Sequence, residues 1–248
     1  MDLNTLNTIE KVKKLIKESN NIVFFGGAGV STASGVPDFR SATGLYNQKN
    51  DTGFSPEYML SHEFFEKHPD LFYDYLKENL MIDGVKPNNA HIALKKLEDE
   101  GKLKGIITQN IDGLHTLAGS KNVVEIHGNI KDYYCTKCKR KYNTDYIKQF
   151  KHQPFCEDDK EIVRPDVVLY GEKLKDENVE KAIDLISNCD ILIVGGTSLV
   201  VYPAAGMIRF YNSNKLILIN KEKTSMDKKA NYVINDDIAK VLPEIAGY

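Results

Sequence analysis

Apolar residues fall along this chain in short blocks that alternate between two periods. Around Leu6 to Ser19 they return every three or four positions, which predicts an amphipathic helix. Asn20-Asn21 then leads into the unbroken run Ile22 to Phe25, the pattern of a buried strand. Further short aliphatic or β-branched runs predict strands at Gly105 to Thr108, Val123 to Ile126, Ile191 to Val194, Leu216 to Ile219 and Tyr232 to Ile234. Asn89 to Glu100 and Asp176 to Ser187 repeat with helical spacing. Strands separated by helices predict an α/β fold with a doubly wound, mostly parallel sheet. Ligands of such sheets bind beyond the carboxyl ends of the strands.

Two segments interrupt the alternation. Residues 41–87 read as a loop followed by helix, with aromatic stretches at Phe64-Phe65 and in LFYDY. Residues 132–165 hold three of the four cysteines among lysines, aspartates and aromatics, as a small zinc-ribbon-like module would. The expected division of a single domain, 1–248, is a Rossmann-like core at about 1–40, 88–131 and 166–248, a helical insertion at 41–87 and a cysteine module at 132–165.

Charge and composition narrow the function. Lys plus Arg number 33 against 35 Asp plus Glu, a formal charge of −2, which removes the electrostatic case for sequence-independent nucleic-acid binding. No apolar run approaches the ~20 residues of a membrane span. The opening stretch MDLNTLNTIEKVKKLIKESN has no apolar core, so no secretory signal is expected. Four cysteines in 248 residues do not form a disulfide framework, and a reducing cytoplasm is the expected location.

Candidate chemistry gathers where strands end. The first strand meets Gly26, Gly27, Ala28 and Gly29, but Thr32 stands where a dinucleotide fingerprint has its third glycine. A second turn, Ser34 to Pro37, leads into Asp38-Phe39-Arg40. After later strands come Gln109, Asn110, Asp112 and His115 in TQNIDGLH, then His127-Gly128, Thr197-Ser198 and Asn220. Each has a plainer reading. The glycines suit a tight turn as well as a pyrophosphate, and Asp38 and Arg40 suit a surface ion pair. Gln109, Asn110, Asp112, Thr197 and Ser198 suit helix caps, and His127 a structural histidine. Their convergence on one sheet edge favours a nucleotide site, where His127, with an ordinary pKa near ~6.5, suits general-base work. A dehydrogenase of this sheet type presents an acidic residue ~20 positions past the glycine turn, at a strand end. Here that position falls in the loop after Tyr46, which argues against simple hydride transfer and leaves Asn220 to hold the ribose.

Taken together, GAGVSTASGVPDFR, TQNIDGLH, His127-Gly128, RPDVVLYGE at Arg164 to Glu172 and GTSLVVYPAA at 196–205 closely resemble the sirtuin family of NAD-dependent protein lysine deacylases. The resemblance runs from the first strand to the last, with the motifs in the same order. It implies that Ala28, Thr32, Phe39 and Arg40 belong to a mobile cofactor loop that folds over the nicotinamide ribose. It further implies that Asn110, Ile111 and Asp112 line the nicotinamide pocket and that Gln109 contacts the ribose. Thr197, Ser198, Asn220 and the Asp237-Ile238 segment would hold phosphates and adenosine. In that chemistry the acyl-lysine amide oxygen attacks C1′ of an oxocarbenium-like ribose, His127 takes a proton from a ribose hydroxyl, and O-acyl-ADP-ribose, nicotinamide and free lysine result. Asn110 joins His127 as a catalytic residue. Val167, Val168, Leu169, Tyr170 and Gly171 would pair with the extended acyl-lysine peptide as an added strand.

The chain departs from the family pattern in places. Gly26 stands where many relatives have Thr. Relatives that remove succinyl or malonyl groups carry YxxR in the helical insertion, whereas this chain has Tyr73 and then Leu76 in the Arg place, which predicts a preference for neutral acyl groups, acetyl first. The family's structural zinc is held by two CxxC pairs. Cys135 and Cys138 supply the first, but the second reads Cys156-Glu-Asp-Asp159. Asp159 and His152 are then the candidates for the fourth ligand, and a weakened zinc site is expected. Protein ADP-ribosyl transfer and a non-catalytic NAD-sensing module are the alternative functions.

Overall fold

The computed structural model describes residues 3–41, 44–47 and 52–248. The loop position considered above for an acidic ribose ligand, within 48–51, lies outside the described residues. Helix α1 spans Leu3–Glu18 and strand β1 Ile22–Gly26. Three short helices follow, α2 (Pro56–Met59), α3 (His62–Lys67) and α4 (Pro69–Asn79), before α5 (Asn89–Asp99) and β2 (Leu103–Thr108). The middle of the chain supplies α6 (Leu114–Leu117), β3 (Val123–Glu125), β4 (Gly128–Cys135), β5 (Lys141–Asn143), α7 (Thr144–Lys148) and β6 (Val163–Val167). The last part supplies α8 (Asp176–Asn188), β7 (Ile191–Gly195), β8 (Leu216–Ile219), β9 (Tyr232–Ile234) and α9 (Ile238–Ala246). No described helix is long and apolar enough to cross a membrane.

The main sheet has the order β3-β2-β1-β7-β8-β9, and every neighbouring pair is parallel. The chain thus winds outward from β1 in one direction through β2 and β3, and in the other through β7 to β9. The reversal point lies between β1 and β7, and this is where such sheets open a crevice. Strand residues alternate between two cores. Ile22 and Phe24 pack with α1, α5 and α9, while Val23 and Phe25 pack with α8 and the turn at 204–210.

The two interruptions form one small lobe. A second sheet, β5-β4-β6, is antiparallel, and its β4 and β6 each run across the boundaries expected at 131/132 and 165/166. Phe64, Phe65, Phe72, Tyr73 and Leu76 of the helical insertion share a buried core with Ile130, Tyr133, Ile147, Cys156 and Val163 of the cysteine segment. The strands of this lobe carry mixed polar and apolar residues, so periodicity did not reveal them.

Candidate active site

The turn after β1 does not open an α-helix. It continues as two 3₁₀ turns, Ala28–Val30 and Thr32–Ser34, with the Thr32 hydroxyl donating to the Gly29 carbonyl at 3.1 Å. Here the turn from β1 and the turn after β7 pack backbone to backbone. Gly29 N–H donates to Gly196 C=O at 2.8 Å, and a Cβ at Gly29 would stand 2.9 Å from Gly196 Cα. Glycine is required by that approach.

Past the strand ends lies a cavity of about 750 Å³. Ala28, Thr32, Phe39, Arg40, Gln109, Asn110, Ile111 and His127 line it together with Thr197, Ser198, Asn220, Ile238 and the segment Val167 to Gly171. Of the predicted nucleotide residues, Asp237, which caps α9, and Asp112 do not line it; for Asp112 the reason is visible. Its carboxylate accepts from the Ser31 hydroxyl at 2.7 Å and from Leu114 N–H at 2.8 Å, so it braces the wall from behind. Buried Asn110 donates to the same Ser31 hydroxyl at 3.1 Å. Ser31 therefore ties the glycine turn to TQNIDGLH, a role that the sequence did not single out.

His127 lies between β3 and β4, immediately before Gly128, and its Nδ1 lies 2.9 Å from the Gln109 carbonyl oxygen. A carbonyl only accepts, so Nδ1 carries the hydrogen and Nε2 keeps a lone pair. Burial pushes the imidazole below its ordinary pKa, the Gln109 contact opposing in part, so the ring is neutral near pH 7. The following Gly128 adopts φ +74°, and a Cβ there would collide with the Asp166 carbonyl as β4 meets β6. Gln109 also donates through Nε2 to Thr197 Oγ1 at 3.0 Å, linking the ends of β2 and β7.

On the small-lobe side, Val167 ends β6 and the next residues form a braced loop rather than further strand. Val168 N–H donates to the His127 carbonyl at 2.9 Å. Arg164 forms a two-point ion pair with Glu172 at 2.6 and 3.0 Å, and Glu172 also accepts from Leu169 N–H at 2.9 Å. Burial alone would raise the Glu172 pKa, but the guanidinium holds it below the usual carboxylate value. Arg40 Nη2 donates to the Tyr170 hydroxyl at 3.1 Å, and Tyr46 and Tyr170 share a hydroxyl contact of 2.8 Å. Tyr73 is fully buried, its hydroxyl donating to the Val163 carbonyl at 2.5 Å. Leu76 does line the cavity, as do Val200, Val201 and Tyr202, which the sequence reading left unassigned.

At the far end of the small lobe, Cys135, Cys138, Cys156 and Asp159 bring one ligand atom each within 4.8 Å of one another. Cys138 and Cys156 Sγ are 3.6 Å apart, and Cys135 Sγ is 3.3 Å from Asp159 Oδ1. Two thiolates on a tetrahedral zinc with bonds of about 2.3 Å stand roughly 3.7 Å apart, so the spacing fits the ion. Backbone N–H groups of Lys137 and Cys138 point at Cys135 Sγ from 3.3 and 3.4 Å, as donors to a thiolate do. His152 is not part of this cluster, because its Nδ1 pairs with Asp74 at 2.9 Å.

The sequence model of the Sir2 family matches residues 27–203. An NAD-dependent protein deacetylase of Clostridium perfringens is 57% identical over 238 residues, 96% of this chain and 98% of its own. One of Clostridium acetobutylicum is 53% identical over 241 residues, 97% and 98% of the two chains. A solved Sir2 enzyme superposes with a TM-score of 0.88 at 35% identity over 97% of both chains. Another, holding a deacetylated peptide and 3′-O-acetyl-ADP-ribose, gives 0.88 at 37% identity over 96% of this chain and 97% of that one. This chain belongs to the Sir2 family.

Proposed function

We propose that the protein is an NAD-dependent protein lysine deacetylase. The observation that carries this reading is the His127 ring, fixed as the Nδ1–H tautomer and lining one cavity with both the glycine turn and the Val167 to Gly171 loop. NAD, when bound, supplies a glycosidic bond to nicotinamide and a ribose hydroxyl that receives the acyl group; one water is consumed overall. The chain does the rest. Side-chain-free backbone at Gly27 and Gly29, with Thr197 and Ser198, receives the pyrophosphate, and Asn220 and Ile238 receive the adenosine. Asn110 and Ile111 orient the nicotinamide, and Asp112 holds that wall through Ser31. His127 Nε2 takes the proton of the ribose hydroxyl. The Val168 carbonyl and Gly171 N–H have no backbone partner among the described residues, and they pair with the substrate peptide as an added strand.

Cys135, Cys138 and Cys156 hold a structural zinc, with Asp159 as the fourth ligand. That site is separate from the strand-end cavity, so catalysis does not use it. None of the four cysteines is in a disulfide, which suits a reducing cytoplasm.

Incubation with NAD and an acetyl-lysine peptide, read by mass spectrometry, tests the reading. O-acetyl-ADP-ribose, nicotinamide and free lysine are expected in equal amounts. ADP-ribose attached to a protein instead would indicate the transferase, and NAD binding without turnover the sensing module.

A further inference from the structure

The half of the metal cluster that departs from a four-cysteine pattern is the segment Cys156-Glu157-Asp158-Asp159, and residues at and beside β5 hold it in place. Arg140, just before that strand, pairs through Nη2 with Glu157 at 2.6 Å and through Nη1 with Asp158 at 2.7 Å. The guanidinium thus engages both carboxylates, and of the three acidic residues only Asp159 joins the cluster.

Tyr142 reaches the cluster itself. Its hydroxyl accepts from Glu157 N–H at 3.1 Å and donates to Cys156 Sγ at 3.1 Å. A phenol has one hydrogen and a metal-bound thiolate has none, so the direction of the second bond is fixed whenever a metal is held. The ring is held as well. It stacks on Tyr146 with centroids 4.3 Å apart and planes at 29°, and the Arg140 guanidinium lies 5.5 Å from its centre. Across the sheet Tyr142 stands opposite the fully buried Tyr133. The Tyr146 hydroxyl donates to the Phe155 carbonyl at 2.6 Å, so the same stack grips the chain just before Cys156.

Three thiolates and a carboxylate carry more negative charge than a divalent ion cancels. Donors around the ligands draw on that excess. Lys137 and Cys138 N–H point at Cys135, Glu161 N–H donates to Asp159 at 3.1 Å, and Tyr142 O–H donates to Cys156. Of these donors Tyr142 is the side chain, and so the one that a substitution removes alone.

We infer that Tyr142 is a positioning residue of the zinc site, its hydroxyl orienting the Cys156 sulfur and drawing charge from it when the ion is bound. The inference rests on the zinc reading above and adds to the four ligands a residue that touches no metal. Outer partners of metal ligands typically contribute 10–100-fold in affinity.

The test uses the full chain, with zinc affinity measured by chelator competition and the sulfur-to-metal charge-transfer band recorded with cobalt(II) in place of zinc. Tyr142→Phe keeps the stacked ring and removes the oxygen; it should weaken zinc by ~10–100-fold. Its cobalt band should move to longer wavelength, because a sulfur that has lost a hydrogen bond gives up charge to the metal more readily. Tyr146→Phe removes a hydroxyl from the same stack that meets a carbonyl and not a ligand, so zinc affinity should stay within about twofold and the cobalt band should not move. Melting temperatures of the zinc-loaded variants check that both fold. An unchanged cobalt band in Tyr142→Phe, whatever its affinity, or equal losses in the two variants, overturns this inference and leaves the zinc reading standing. Wild-type protein that holds neither zinc nor cobalt overturns both.

Discussion

At the nucleotide end of the cavity, the functional groups stand on the strands of the parallel sheet or within a few residues of their ends. At the acyl and peptide end they stand on helices and a loop of the small lobe, held by an aromatic core, the Arg164–Glu172 pair and the cysteine cluster. The first end is positioned by backbone geometry, in which a shift of one group would require moving a strand. The second is positioned by side chains, so a single substitution there alters shape or polarity without disturbing the sheet. Under the proposed function, the chemistry would be set on the rigid side and the choice of substrate on the adjustable side.

His127 tests the rigid side most severely. His127→Ala should lower deacetylation by ~10²-fold or more while NAD binding, followed by calorimetry, stays near wild type. Because burial lowers its pKa and the base must be neutral, the acid limb of the kcat/KM profile should lie below the ordinary imidazole value of ~6.5. Turnover near wild type in the alanine variant, or an acid limb above pH 7, would remove His127 from that role.

The same division governs what could be read from sequence. Every main-sheet strand announced itself as an aliphatic run, because a strand covered on both faces needs little else. Polar residues placed just after such runs were necessarily brought to one edge, which is why Gln109, Asn110, His127, Thr197 and Asn220 could be grouped in advance. Strands β4, β5 and β6 gave no such sign, since they are only partly covered and mix polar with apolar residues. That residues 41–87 and 132–165 share one core depends on contacts distant in sequence, such as Tyr73 with Val163, 90 positions apart. Ser31 was missed because a serine in a glycine-rich turn looks like turn chemistry.

Cys135, Cys138, Cys156 and Asp159 form the candidate metal cluster of the adjustable lobe. Removing a residue that merely orients a metal ligand costs 10–100-fold in affinity, so Asp159→Ala should weaken zinc by at least ~10²-fold. Asp159→Cys should restore or exceed wild-type binding, because it rebuilds four thiolates. Metal analysis with chelator competition measures both. One tightly held zinc unaffected by Asp159→Ala would exclude the carboxylate as a ligand.

Behind the nucleotide edge, the rings of buried His91 and His115 lie 4.7 Å apart. Nδ1 of His91 accepts from Asn88 N–H at 3.2 Å in the cap of α5. Burial pushes His91 down to about 4, and burial with the neighbouring ring pushes His115 down to about 3. The unfolded chain therefore binds protons, from pH ~6.5 downward, that the folded chain refuses. Their stabilising effect is complete above pH ~6.5 and is lost as pH falls toward 4, at up to ~1.4 kcal/mol per pH unit for each histidine. Urea unfolding between pH 4.5 and 7.5 should show the slope, and His115→Phe should reduce it. An equal slope in the variant would assign the effect to other groups.

The smallest effect is expected where the two ends of the cavity touch. Tyr170, on the loop proposed to pair with the peptide, accepts from Arg40 and shares its hydroxyl with Tyr46, both on the segment proposed to cover the cofactor. Burial and the Tyr170 contact raise the Tyr46 pKa, so its hydroxyl remains a donor at working pH. Arg40 also lies 5.1 Å from the centre of the Tyr46 ring, which holds the three groups together. Tyr170→Phe keeps the ring and removes only the oxygen. Each lost hydrogen bond contributes ~0.5–1.5 kcal/mol, so the closed cofactor loop should be disfavoured by a factor of about 2 to 10 per bond. If the cluster couples cofactor closure to the peptide loop, KM for NAD should rise severalfold in Tyr170→Phe while kcat changes less. Adding Tyr46→Phe should then cost little more, because the partner oxygen is already gone. Two single variants whose effects simply add would show that the hydroxyls act separately. An unchanged KM for NAD in Tyr170→Phe would show that the rigid and adjustable sides close independently.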